Sequence, residues 1–141
     1  MTTTRKITIS TVVIAILAFP LTRVIWPDAP DAVGPPSSLL PWFIVLGAIE
    51  AVSFGLGVSM LVFCWKEGQR HLWPFLAVVW LLMSWWPHDN LHRVAHENNF
   101  LNLLIIEYVF HVTLMIAGFI LARFLVKNVL SERTARNSEQ V

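Results

Sequence analysis

Residues 39–65 read "LLPWFIVLGAIEAVSFGLGVSMLVFCW", and Glu50 is the one charged side chain among them. A helix over this range rises about 40 Å, which exceeds the hydrocarbon core of a bilayer at roughly 30 Å. Its length and apolar composition together predict a helix that crosses a membrane.

The rest of the chain has the same character. Hydrophobic residues make up 56% of the 141 residues and charged residues 13%, against about 25% charged in a typical soluble domain. Four apolar segments fill nearly the whole length, which leaves no room for a separate soluble domain. We predict an all-α protein, a four-helix transmembrane bundle that forms a single integral membrane domain over 1–141. Its crossings cover about 7–26, 39–65, 72–87 and 91–126, followed by a polar cytoplasmic tail over 127–141.

The basic residues predict the orientation of the bundle. One side of the four-crossing arrangement holds Arg5, Lys6, Lys66, Arg70, Arg123, Lys127, Arg133 and Arg136, while only Arg23 and Arg93 fall on the other. Basic loops stay in the cytoplasm, so both termini are expected there, with the loops over 28–38 and 88–99 on the extracytoplasmic side. Tryptophans mark both boundaries, with Trp26, Trp42, Trp85 and Trp86 outside and Trp65 and Trp73 inside.

Two boundaries stay open at this point. The first segment also resembles a secretory signal peptide in its basic start, although no clear small-x-small cleavage site follows it. We therefore expect residues 1–26 to be retained as a helix, with cleavage as the alternative. The fourth helix begins near residue 91 if "PHDN" is the turn before it, or near residue 100 otherwise.

Charge and cysteine content exclude some functions. The formal net charge is +1 and the basic residues are scattered among helix ends, so we expect no nucleic-acid partner. Cys64 is the single cysteine, which rules out a disulfide within the chain and a CxxC redox pair.

Small residues recur every fourth position along the second segment. Gly47, Ala51, Gly55 and Ser59 share one helix face, and such faces let helices approach closely in lipid. We predict a helix interface here, either within the chain or in a homo-oligomer or larger membrane complex. Gly118 and Ala122 suggest the same role on the fourth segment.

Three ionisable residues lie deep in the apolar segments. Glu50 and His111 are each about eleven residues from the outer end of their segment, near the midplane, and Glu107 is one turn outward from His111. A charged side chain at this depth costs at least about 2.5 kcal/mol, so such residues usually face a partner or a cavity. We predict that Glu107, His111 and Glu50 meet in a catalytic or binding site. The alternative is a hydrogen bond that only holds two helices together.

Three histidines stand four apart in "PHDNLHRVAHENN". His88 and His96 are about 12 Å apart along a helix, so one ion binds at most two neighbouring members of the set and needs a further ligand. The candidate metal ligands are His88, His92, His96, Glu107 and His111. Copper, iron and zinc suit such imidazole and carboxylate ligands. Histidines at a membrane surface are also ordinary interfacial residues.

A helix that begins near residue 91 aligns these groups. On such a helix His92, His96, Glu107 and His111 lie at successive angles within one broad face. This polar face would extend from the outer surface to the midplane. We favour transition-metal binding in a membrane redox or metal-handling system. The alternatives are acid–base catalysis on a lipid-like substrate, with Trp80, Tyr108 and Phe110 lining the pocket, a proton or cation channel, and a non-catalytic accessory subunit.

Overall fold

A computed structural model describes residues 3–25, 34–84 and 100–130. Its four α-helices are α1 (Thr3–Ile25), α2 (Leu40–Gln69), α3 (Leu72–Met83) and α4 (Phe100–Phe124). A π-helical segment, Leu125–Leu130, continues α4. These described ranges contain no strand, which confirms the all-α prediction.

Helix α2 lies at the centre of the packing. It contacts α1, α3 and α4, while α3 also packs on α4 and the π-helical segment touches α1. Two glycines of α2 allow its neighbours to approach closely. A Cβ added at Gly55 would lie 2.5 Å from the Thr11 carbonyl oxygen of α1, and a Cβ added at Gly57 would lie 3.1 Å from Leu81 Cβ of α3. Positions two apart point to opposite sides of a helix. Gly55 therefore faces α1, and Gly57 faces α3.

The small-residue face of α2 contacts α1. Ala51 is buried in a cluster with Ala15 and Ala18 of α1. Ser59 is fully buried and bonds to three partners: the Ser10 hydroxyl, the Thr11 hydroxyl at 3.2 Å and the Gly55 carbonyl at 2.7 Å. Sequence analysis did not single out Ser10 and Thr11. Association of copies, or with a larger complex, through this face stays a prediction.

We expect Ser59→Ala to destabilise the bundle modestly. The change removes the hydrogen bonds that Ser59 makes to α1, and interhelical bonds of this kind contribute about 0.6 kcal/mol on average in membrane proteins, with a maximum near 1.7. Thermal unfolding in mild detergent measures the effect. Thr8→Ala is the matched control, because the exposed Thr8 hydroxyl bonds only within α1, to the Thr4 carbonyl. Equal stability of both variants would contradict the role of Ser59.

Helix α4 presents one buried seam and an apolar exterior. Its buried residues follow one another in steps of three or four: Leu104, Glu107, His111, Leu114, Ala117, Leu121 and Phe124. The outward side is exposed and apolar, with Ile105, Val109, Val112, Ile116 and Phe119 among its residues. Two ionisable side chains thus lie on the buried side of α4, while large apolar side chains lie on its exposed side.

Two helices in the described ranges are long and apolar enough to cross a membrane, over Leu40–Lys66 and Phe100–Lys127. They correspond to the second and fourth predicted crossings. Helix α3 has 12 residues and is about 18 Å long, whereas the predicted third crossing extends to residue 87, outside the described residues. Residues 91–99, where the alternative start of the fourth helix falls, also lie outside them.

Candidate functional site

Glu107 and His111 occupy two positions of the α4 seam, and apolar residues occupy its other positions. Each residue is 1% exposed. They are one turn apart on the same face, as the spacing predicted. The site is therefore a pair of ionisable side chains in an apolar interior.

One hydrogen bond determines which histidine nitrogen carries the proton. His111 Nδ1 lies 2.7 Å from the backbone carbonyl oxygen of Glu107. A carbonyl oxygen only accepts, so Nδ1 must donate and carries the hydrogen. In the neutral ring Nε2 then holds the lone pair, and this atom is fully buried. The basic atom of the site is Nε2.

The Glu107 carboxylate lies beside the same ring nitrogen as the Glu107 carbonyl oxygen. Its Oε2 is 3.6 Å from His111 Nδ1. A carboxylate beside Nδ1 holds the ring in one tautomer and stabilises the imidazolium that forms when Nε2 takes a proton. In metal sites, a hydrogen-bond acceptor at the ring nitrogen that does not bind the metal likewise orients the histidine. The geometry suits proton transfer at Nε2 or ligation by Nε2, with Glu107 as a positioning residue.

Glu50 lies on α2, which packs beside α4 and runs in the same direction. The N-terminal parts of α2 and α4 meet through the rings of Phe43 and Phe100, 6.4 Å apart. Met60 and Leu121, near the C-terminal ends, belong to one buried cluster, so the two helices run in the same direction. Glu50 is seven residues after Phe43, and Glu107 is seven after Phe100. Each glutamate is thus about two turns along its own helix from this ring contact, and Oε1 of Glu50 is buried.

Aromatic residues line one side of the pair. The Phe110 ring meets the His111 ring edge-on at 5.6 Å, and the Trp80 ring of α3 lies 6.1 Å from Phe110. The Trp80 indole N–H donates to the Thr113 hydroxyl at 2.9 Å, which holds α3 against α4 beside the site. Tyr108 instead contacts Trp42 of α2, 6.5 Å away. Thr113 was missed by sequence analysis, since its role depends on a partner 33 positions away.

The predicted metal centre has two of its candidate ligands in the described ranges. Glu107 and His111 lie together, while His88, His92 and His96 lie outside the described residues. Within residues 3–25, 34–84 and 100–130, no group of three or more histidine, cysteine, aspartate or glutamate side chains is placed to hold a metal ion. Metal binding stays a prediction that requires ligands outside the described residues, of which His88, His92 and His96 are the predicted ones.

Comparison with models of protein families, with curated proteins and with solved structures finds no match to this chain. Any functional argument therefore rests on the geometry of the chain itself.

Proposed function

We propose that the protein is a four-crossing membrane bundle with cytoplasmic termini and the histidine-rich loop outside. The support is the combination of an apolar exterior, buried polar side chains and two helices of spanning length. Most of the basic residues fall on one side of this topology.

Cysteine labelling of intact cells tests the topology. A cysteine at the exposed Gly34 is expected to react with a membrane-impermeant maleimide from outside, whereas a cysteine at Thr4 reacts only after lysis. The native Cys64 is 2% exposed and serves as the unreactive background. Labelling of Thr4→Cys in intact cells would overturn the orientation.

Within this bundle, the function that the site supports best is proton transfer at His111. The observation that carries it is the Nδ1–H bond to the Glu107 carbonyl, which leaves Nε2 as the one proton-accepting atom of the ring. Nε2 takes a proton to form the imidazolium, the Glu107 carboxylate offsets the new charge, and Nε2 then releases the proton. The Nδ1 hydrogen stays in place throughout.

The route to and from His111 is part of this proposal. The proposed route joins His111 to Glu50, the carboxylate on α2, and continues outward to His92 and His96, as their sequence spacing predicts. A histidine exchanges protons readily near neutral pH. Such a row of ionisable groups in a membrane protein typically marks a proton or ion path.

Proton flux in liposomes is the direct test. Vesicles that hold purified protein and a pH-sensitive dye are given a potassium diffusion potential, and the internal pH is followed. Wild-type vesicles are expected to change internal pH faster than protein-free vesicles. Equal rates in the two preparations would overturn proton conduction.

Transition-metal binding is the second candidate, favoured by the same Nδ1 hydrogen bond. That bond holds the ring in the tautomer with a lone pair on Nε2, which a metal needs. A histidine from residues 88–96 would supply a further ligand. Elemental analysis of detergent-purified protein after growth with iron, copper and zinc tests it. Stoichiometric metal in the wild type, absent from the His92→Ala, His111→Ala double variant, is the expected result. A metal-free wild type would remove this candidate.

A further inference from the structure

A hydrogen bond joins a tryptophan of α3 to a threonine of α4 on the exposed side of the bundle. Trp80 is 41% exposed, and Thr113 is also exposed. The Trp80 indole N–H donates to the Thr113 hydroxyl oxygen at 2.9 Å, and the Thr113 hydroxyl donates to the Phe110 carbonyl oxygen at 2.6 Å. A hydroxyl has one hydrogen and two lone pairs. The two bonds together therefore fix the orientation of the Thr113 side chain, which in turn holds the indole.

The same hydrogen bond keeps the indole against Phe110. The Trp80 and Phe110 rings lie 6.1 Å apart, with 53° between their planes. Thr113 and Phe110 are three residues apart and so are neighbours on one side of α4, where Trp80 meets both. Phe110 is half-buried, and its ring meets the His111 ring edge-on at 5.6 Å. The three rings form a row that leads from the exposed surface to the buried site.

The orientation of the His111 ring depends on two restraints. The torsion between Cβ and the imidazole is broad and roughly two-fold, so a half-turn of the ring exchanges the positions of Nδ1 and Cδ2. The bond from Nδ1 to the Glu107 carbonyl oxygen, at 2.7 Å, opposes this half-turn, because a carbon atom would then face the carbonyl. The Phe110 ring opposes it as well, because the turning imidazole must pass it. Only this second restraint depends on another helix.

From these contacts, we infer that Thr113 is a positioning residue of the His111 site. Through Trp80 it holds the Phe110 ring in place, and that ring keeps the imidazole in the orientation in which Nδ1 donates and Nε2 takes up the proton. The inference deepens the proposed proton transfer at His111 and rests on it. Loss of an interhelical hydrogen bond changes an equilibrium about 3- to 18-fold. We expect proton flux to fall by a factor in this range when the bond is removed.

Thr113→Val tests the inference, because valine has nearly the shape of threonine but no hydroxyl. Protein with ¹⁵N-labelled histidine is purified in mild detergent, and the His111 signals are assigned by their absence from His111→Gln. We expect one ring orientation in the wild type and a second set of His111 signals in Thr113→Val. Flux in liposomes should fall about 3- to 18-fold. Trp80→Phe removes the donor instead of the acceptor and should give the same two results.

Two controls separate positioning from general loosening of the bundle. Thr113→Ser keeps the hydroxyl and should restore the wild-type spectrum and flux. Ser59→Ala removes hydrogen bonds between α1 and α2 and should leave the His111 signals and the flux unchanged. Wild-type signals in both Thr113→Val and Trp80→Phe, altered signals in Thr113→Ser, or equal changes in Ser59→Ala would each overturn the inference. The spectra require no proton flux, so a wild type that conducts no protons would overturn the proposed function while the spectra still test the positioning.

Discussion

Replacing His111 by glutamine is expected to abolish protein-dependent proton flux in liposomes. The variant keeps a polar side chain of moderate size in the α4 seam but has no group that takes up a proton near neutral pH. General acid–base groups contribute about 10²- to 10⁴-fold to proton-transfer steps. The remaining flux should therefore fall to that of protein-free vesicles. The dye assay measures this directly.

His71→Gln is the matched control for this prediction. His71 is exposed at the opposite end of the bundle, where its ring contacts Phe124 at 5.4 Å, far along α4 from His111. Vesicles that hold the His71→Gln variant should show the same proton flux as vesicles that hold the wild type. Undiminished flux through His111→Gln, with the protein folded by circular dichroism, would contradict the proposed site.

Glu107→Gln distinguishes a positioning residue from a structural one. The variant keeps the backbone carbonyl that accepts from Nδ1, so ¹⁵N magnetic resonance of His111 should still show the hydrogen on Nδ1. The carboxylate that offsets the imidazolium is lost, so flux should fall. An unchanged tautomer with reduced flux is the expected combination. A changed tautomer, or full flux, would contradict the role given to the carboxylate.

Gly55→Ala is expected to destabilise the protein by about 1–3 kcal/mol, the usual cost of overpacking. The new Cβ would lie 2.5 Å from the Thr11 carbonyl oxygen and 3.3 Å from the Ala15 nitrogen. Both are backbone atoms, so no side-chain rotation relieves the clash. Helix α1 must move away from α2, which also stretches the bonds of Ser59 to Ser10 and Thr11. Thermal unfolding in mild detergent gives the comparison with wild type.

Two other glycines provide graded controls for the same experiment. A Cβ at Gly118 meets nothing within 4 Å, so Gly118→Ala should cause no loss and gain up to about 1 kcal/mol from helix propensity. A Cβ at Gly57 meets the side chains of Leu81 and Leu82 at 3.1 Å. The Leu82 methyl can rotate away, and Leu81 Cβ lies 0.6 Å further off than the Thr11 oxygen does from Gly55, so Gly57→Ala should cost less than Gly55→Ala. If Gly55→Ala proves as stable as Gly118→Ala, the packing of α1 on α2 is wrong.

Sequence periodicity predicted the placement of Glu107 and His111 well. Their spacing of four residues on an apolar helix put them on one face, and both are buried on the α4 seam. Their mutual geometry was not predictable. The choice of Nδ1 as donor depends on the rotamer of His111 relative to a backbone carbonyl, which no residue pattern encodes.

The sequence by itself determined that the protein is helical and that its second and fourth segments are long and apolar enough to span a membrane. Only the tertiary structure decided which small residues are packed tightly. Gly55 and Gly118 look alike in the sequence, yet one touches a neighbouring backbone and the other faces open space. Periodicity specifies which face a residue occupies, because it is a property of one helix. It does not specify what lies opposite, because that depends on how the helices pack together.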